Sequence, residues 1–458
     1  MAYQTTNPYT GEILKTFPDA TDAEVAQALE RGHTAFQRWR LKPVSERVTF
    51  LQKAADLLRA KRTEYAKLLT TEMGKLLAEA EAEVELSAAI LEYYVKHAEA
   101  ELAPQPLPCE DPVVSEAQLV HEPLGIILAI EPWNFPYYQI ARIMAPQLAA
   151  GNVILLKHAS NVPQSAAAFE KLMQETGLPA GCFQNLYATR DQIETIINDP
   201  RVQGVALTGS EGAGALVAAQ AGRALKKSTM ELGGSDAFIV LDDADLDKAI
   251  PHIAMTGYFN AGQDCTAATR VLVARSIHDE FVRRLVEAAR QTRWGSPDDA
   301  DALYGALNNA NQLARVKGFI ERLPAHVRIE TGGKQADRPG FYFEPTVLSG
   351  LRQDDEAIQQ EIFGPVITVQ AFDDDDDAIA KANGVQYGLA SSVWTRDHFR
   401  AERMARELSF GTVWLNTHIP LTGEMPHGGF KQSGYGKDLS LYALEEYTRI
   451  KHVMSAHS

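Results

Sequence analysis

Apolar residues recur at helical spacing from Thr21 to Trp39, and Thr21-Asp-Ala-Glu24 at the start of that stretch fits a capping box. From Ser45 to about Leu102 the pattern stays helical, rich in Ala, Leu, Glu and Lys, until Pro104, Pro106 and Pro108 end it. Extended segments follow at Val113 to Glu122 and Gly125 to Ile130. Short apolar runs then alternate with helical patterns. Strands are predicted at Asn152–Leu156, Gly204–Leu207 and Ala237–Leu241, with helices at Ser165–Thr176, Ala213–Ala224 and Ala244–Thr256. The alternation resumes with a strand at Val271–Ala274, helices from His278 and over Asn308–Leu323, and a strand at Val366–Val369. It ends with a helix from Asp375, a strand at Ala390–Trp394, a helix from Phe399 and a strand at Thr412–Leu415. The fold class is α/β: two parallel-sheet domains joined near Leu232-Gly-Gly234.

Length and composition agree. A chain of 458 residues exceeds the size of one core, and 45% apolar with 23% charged residues is ordinary for a globular protein. The formal net charge of -16, with acids spread along the chain, argues against a nucleic-acid partner. No apolar run is long enough to span a bilayer, and the first residues lack the features of a secretory signal, so a cytoplasmic location is expected. Three well-separated cysteines, Cys109, Cys182 and Cys265, form no disulfide framework. The acidic run Asp373 to Asp377 sits where a helix should start, where carboxylates favour the helix dipole; no metal site is expected there.

Three stretches carry candidate chemistry. Cys265 lies in the turn Asn260-Ala-Gly-Gln-Asp-Cys265, just before an apolar strand, where a thiolate can attack a carbonyl carbon. By itself it would read equally well as a small core hydrophobe. Glu231, at a strand end before paired glycines, has room to face a cleft and to act as a base for water if burial raises its pKa. Glu131-Pro-Trp-Asn-Phe-Pro136 ends an apolar run in a proline-braced turn that fixes the Asn134 amide as an oxyanion donor.

The ordered set Glu131-Pro-Trp-Asn-Phe-Pro136, Lys157, Thr208-Gly-Ser210 through Gly214, Glu231-Leu-Gly-Gly234, Gly262-Gln-Asp-Cys265, Glu361-Ile-Phe-Gly-Pro365 and Gly428 to Gly434 resembles the NAD(P)-dependent aldehyde dehydrogenase superfamily along essentially the whole chain. The resemblance implies two Rossmann-like domains and a small β oligomerisation arm. Residues 1–106 and 123–232 would bind NAD(P), 233–432 would form the catalytic domain, and 107–122 with 433–458 the arm and tail of a homodimer or homotetramer. It implies that Cys265 forms a thiohemiacetal whose oxyanion is held by Asn134. Hydride transfer to NAD or NADP then leaves a thioester, which water activated by Glu231 hydrolyses. It assigns the cofactor to Trp133, Lys157, Ser160, Gly209, Ser210, Gly214, Glu361 and Phe363. NAD-preferring members tend to carry a glutamate at the position of Ser160, so NADP should be tolerated.

For substrate, two signals compete. Arg142, two helical turns past Asn134, matches the arginine of succinate-semialdehyde dehydrogenases, where a guanidinium clamps a carboxylate. Gly262-Gln-Asp-Cys265 and the tail from Glu424 look like the aminoaldehyde branch, with Asp264 positioned to attract an ammonium group. Tyr138, Gln139 and His418 are expected to line the substrate funnel. Succinate semialdehyde is placed ahead of 4-aminobutanal. A non-catalytic cofactor-binding protein is the remaining alternative, against which stand Cys265, Glu231 and Asn134, all present.

Overall fold

The computed structural model describes residues 3–456. The alternating pattern forms two mainly parallel sheets. The first has six strands in the order Gly434–Tyr435, Lys227–Glu231, Val202–Thr208, Ile126–Glu131, Val153–His158 and Phe183–Asn185. The second has seven: Arg328–Thr331, Thr346–Ser349, Val366–Phe372, Arg270–Ala274, Ala237–Val240, Ala390–Trp394 and Thr412–Leu415. Only the strands Gly434–Tyr435 and Arg328–Thr331 run antiparallel to their neighbours. Both are edge strands. Interior strands such as Ile126–Glu131 are covered on both faces by helices, which is why they read as continuous apolar runs rather than alternating ones.

Some elements differ from the sequence reading. The long helical stretch is three helices, Val44–Ala60, Arg62–Met73 and Leu77–Glu101. Gly74 ends the second at φ 90°, and a side chain there would press on the Ala306 carbonyl at 2.8 Å. The extended segment near Val113 begins its strand at Glu116 and pairs with Thr448–Ser455 and Gln105–Pro106 in a three-stranded sheet. Asp374 caps the helix Asp375–Asn383, and Asp373, Asp375 and Asp376 pair with Arg275, Arg400 and Arg403, so the acidic run is a helix start. Among the described residues no helix is long and apolar enough to cross a membrane.

The helix Pro136–Ala150 is buried along its whole length. Its polar side chains therefore need protein partners, and the chain's end supplies them. Asp438 pairs with Arg142 at 3.1 Å, and the Ala443 carbonyl accepts from Gln147 at 2.7 Å. The same segment lays Gly434 against Glu231 in antiparallel register. Gly434 has φ 114°, and a β-carbon there would overlap the Met230 carbonyl oxygen. Gly434→Ala is therefore expected to destabilise the protein by about 2 kcal/mol, read as a lower midpoint in urea. An unchanged midpoint would show that this edge is not held tightly.

Candidate active site

The parallel register places the ends of neighbouring strands side by side. Glu131 stands opposite His158, and Thr208 opposite Glu231. These are the carboxyl ends of the strands, where open α/β sheets bind ligands. Beyond Glu131 the chain turns through Pro132–Phe135, carrying Trp133 and Asn134, and enters the helix Pro136–Ala150 with proline in its first turn.

Cys265 arrives from the other sheet. The helix Leu246–Tyr258 passes into a tight turn in which Asn260, Ala261 and Gly262 all have left-handed φ, at 53°, 56° and 67°. The cysteine lies five residues before the strand Arg270–Ala274, in a loop that is tied down rather than flexible. The Gln263 side chain donates to the Asn260 carbonyl at 3.0 Å and accepts from the Asn308 N–H at 2.9 Å.

Cys265, Glu231 and Asn134 share one cleft of about 260 Å³, whose wall includes Gln139, Arg142 and Thr208. Burial holds the Cys265 thiol well above the ordinary thiol value, and the Asp264 carboxylate adds to this. Burial also raises the Glu231 carboxyl well above the usual range; Asp438 reinforces the shift and Arg142 opposes it. His427 lies 3.5 Å from Glu231, but burial brings its imidazole down to about 3, so it is neutral and the contact is no ion pair. One Glu231 oxygen, Oε1, has no hydrogen-bond partner. Burial thus disfavours the charged forms of both the thiol and the carboxyl group. The Asn134 amide donates to the Gln263 carbonyl at a long 3.2 Å, a bond that is readily exchanged for a better acceptor.

A second cleft of about 950 Å³ runs into the first, sharing Trp133, Gln312 and Arg315 with it, and is lined by Lys157, Ser160 and Arg190. Burial brings the Lys157 ammonium down to about 8, with Arg190 contributing, and the ammonium lies 5.6 Å from the centre of the Tyr3 ring. Gly209 and Ser210 line the catalytic end at the start of the helix Glu211–Arg223, and the Ser210 hydroxyl is not used to cap that helix. Gly214 stands apart from the cleft, where its missing side chain lets the helix approach Leu232. Glu361 accepts the Gly234 N–H at 3.0 Å, and burial pushes its carboxyl up to about 8. Phe363, at φ 58°, sets its ring edge-on to Trp133 with centroids 5.6 Å apart.

Three expected substrate residues do not line the catalytic cleft. Asp264 closes its own turn by accepting from the Thr266 N–H and hydroxyl at 3.0 and 3.1 Å. His418 is buried between the Ser392 hydroxyl at 2.9 Å and the Thr266 carbonyl at 2.8 Å. Tyr138 is buried with its hydroxyl 3.5 Å from Arg142 Nη1. Arg142 reaches the cleft but is not free for a two-pronged clamp. Its Nε faces Asp438, and its Nη2 donates to Thr208 Oγ1 at 2.9 Å. Gln312 and Arg315, on the helix Ala310–Glu321, were not foreseen; that helix is legible in the pattern, but nothing local shows that it crosses both clefts.

The chain matches the aldehyde dehydrogenase family over residues 1–453 and belongs to it, so it is an oxidoreductase of that family. It is 42% identical over 452 residues to the succinate-semialdehyde dehydrogenase (NADP+) of Deinococcus radiodurans, covering 98% of this chain and 94% of that one. It is also 42% identical over 460 residues to succinate-semialdehyde dehydrogenase (NADP+) 1 of Mycobacterium tuberculosis, covering both chains fully. Among solved structures, it superposes with a TM-score of 0.97 on succinic semialdehyde dehydrogenase from Streptococcus pyogenes in complex with NADP+, at 39% identity over 100% of each chain. A betaine aldehyde dehydrogenase variant from Staphylococcus aureus in complex with NAD+ gives 0.96 at 31% identity, over 99% of this chain and 93% of that one.

The raised thiol makes a pH prediction. Because burial disfavours the thiolate, alkylation of the cofactor-free enzyme by iodoacetamide should keep rising with pH through the ordinary thiol pKa of about 8.5. A plateau below that pH would mean that Cys265 is activated at rest.

Proposed function

We propose that this enzyme oxidises succinate semialdehyde to succinate with NADP+, and accepts NAD+ less well. The observation that carries the reading is the Arg142 guanidinium in the wall of the cleft that holds Cys265, Glu231 and Asn134. Nε and Nη2 are engaged, and Nη1 makes only a long 3.5 Å hydrogen bond to the Tyr138 hydroxyl, so Nη1 is the edge most readily exchanged for the carboxylate of a short ω-carboxyaldehyde. The names of the similar proteins agree with this substrate. An aminoaldehyde loses its main support, because Asp264 is turned into its own backbone.

The cofactor fits the two joined clefts on three features of the chain. These are the ammonium of Lys157 beside Arg190, the unused Ser210 hydroxyl at a helix N-terminus, and Gly233, where a β-carbon would press on Glu361 at 2.6 Å. Lys157, Ser160 and Arg190 would hold the adenosine end, with no carboxylate at Ser160 to repel a 2′-phosphate. Ser210, Glu361, Phe363 and Trp133 would hold the nicotinamide end. When bound, the cofactor supplies the two-electron acceptor that converts the cysteine adduct into a thioester.

The chain's own residues do the rest. After its proton has left to solvent, Cys265 Sγ bonds to the aldehyde carbon as the carbonyl π pair moves to oxygen, and the Asn134 amide turns from the Gln263 carbonyl to the new oxyanion. In its carboxylate form Glu231, made more basic by burial, takes a proton from the water that attacks the thioester; the C–S bond breaks, freeing Cys265 Sγ and releasing the acid. We infer a division of labour between a cofactor domain of residues 1–106 and 123–232 and a catalytic domain of 233–432. We also infer a cytoplasmic homo-oligomer joined through the three-stranded sheet, whose outer strand exposes Ile450, Val453 and Met454.

Initial rates with succinate semialdehyde and 4-aminobutanal, each with NADP+ and NAD+, test this reading. Succinate semialdehyde with NADP+ should give the highest kcat/KM, by about tenfold or more over the amine. Arg142→Lys should cost the semialdehyde about tenfold more than it costs propanal. Preference for the amine would overturn the substrate assignment. Glu231→Gln should retain a burst of reduced cofactor while steady turnover falls about a hundredfold; loss of the burst as well would place Glu231 earlier in the reaction.

A further inference from the structure

We propose that Lys75, Glu79 and Glu83 are positioning residues, a buried charged clamp that sets the cysteine loop and the Asn134 turn at a fixed separation. The proposal rests on the reading above, in which Cys265 and Asn134 act on the same carbonyl. The two arrive from different sheets, so something must fix the distance between them.

The helix Leu77–Glu101 points its first two turns under both loops. Glu79 accepts the Leu76 N–H at 2.9 Å with one oxygen and the Asn260 N–H at 2.8 Å with the other. Asn260 opens the run of three left-handed residues ahead of Cys265, two of which are not glycine. Such a backbone persists only where its surroundings hold it, and Glu79 supplies one hold. One turn along the helix, Glu83 Oε1 accepts the Tyr137 and Tyr138 N–H groups at 2.8 and 3.3 Å. These are N–H groups of the first turn of the helix that follows Asn134. Residues four apart stand on one helix face, so one rigid element grips both loops.

Lys75 balances the charge. Its ammonium is 3.1 Å from Glu83 Oε2 and 3.6 Å from the centre of the Phe135 ring. Phe135 in turn stacks on Phe259 at 6.2 Å, next to Asn260. Direct ties close the unit. The Asn260 amide donates to the Asn134 carbonyl at 3.2 Å and to the Gln263 carbonyl at 3.1 Å.

Lys75 is fully buried, and Glu79 and Glu83 are 8% and 3% exposed. Buried ions are a poor source of stability, and apolar side chains would fill the space as well. What apolar side chains would not do is receive N–H groups from two separate loops. None of the three lines either cleft, so their effect on the reaction must pass through the residues they hold.

Two conservative variants of the full-length enzyme separate reach from charge. Glu79→Asp keeps the charge beside Lys75 but shortens the arm that meets Asn260, whereas Glu79→Gln keeps the reach and one acceptor oxygen for the Asn260 N–H, and loses the charge and the Leu76 bond. With succinate semialdehyde and NADP+, Glu79→Asp should lower kcat about tenfold or more and change the rate of Cys265 alkylation by iodoacetamide. Its Kd for NADP+ should stay within about twofold of wild type, while Glu79→Gln should keep kcat within about threefold. The clamp is overturned if Glu79→Asp keeps wild-type kcat and alkylation rate, if Glu79→Gln loses more than Glu79→Asp, or if cofactor affinity falls along with kcat. Aldehyde oxidation by a Cys265→Ala control would instead overturn the assignment of the nucleophile.

Discussion

The helix Pro136–Ala150 has no solvent-facing side, and that constraint organises much of what surrounds it. An arginine in such a helix must be met by charge and by hydrogen-bond acceptors, or the helix does not bury. Asp438 and Thr208 meet it. Supplying Asp438 draws the end of the chain across the first sheet. Tyr447 then lodges against Thr229 and the Val205 carbonyl, and Gly434 pairs with Glu231. The carboxylate read as the general base therefore owes its enclosure to a segment far from it in sequence.

Enclosure sets the chemistry. Cys265, Glu231 and Glu361 are all shifted toward their uncharged forms by burial, with Arg142 as a compensating charge for the first two. Burial of this kind disfavours the charged forms of the candidate nucleophile and the candidate base. Ionisation becomes favourable only when something else in the cleft stabilises negative charge. The cationic second cleft, with Lys157 and Arg190, is the natural place for an anionic cofactor to alter that balance. Beneath the site, burial likewise raises the Glu79 and Glu83 carboxyls, Lys75 opposes the shift, and the N–H groups those carboxyls receive hold the backbone still.

Much of this was legible in the chain itself. Strands covered on both faces must be apolar without interruption, and the helices between them must be periodic, so the α/β order could be read from local pattern. The chemical residues were legible because their neighbours are unusual: glycines before Cys265 and after Glu231, and prolines around Asn134. Breaks such as Gly74 were harder to see, since one glycine in a helical pattern does not reveal whether its φ turns positive.

The sequence by itself determined the succession of elements and the family, and offered the residues proposed to carry the reaction, because each of these depends on a few adjacent positions. Only the tertiary structure decided which polar side chains face the cleft. Asp264 and His418 turned inward to backbone partners, and Arg142 spent two of its nitrogens on Thr208 and Asp438. Gln312 and Arg315 came to line both clefts from a helix whose own pattern says nothing of its neighbours. The physical reason is that a buried polar group must find a partner, and that partner can lie anywhere along the chain. Periodicity shows that a position is buried; only the folded chain shows what it is buried against.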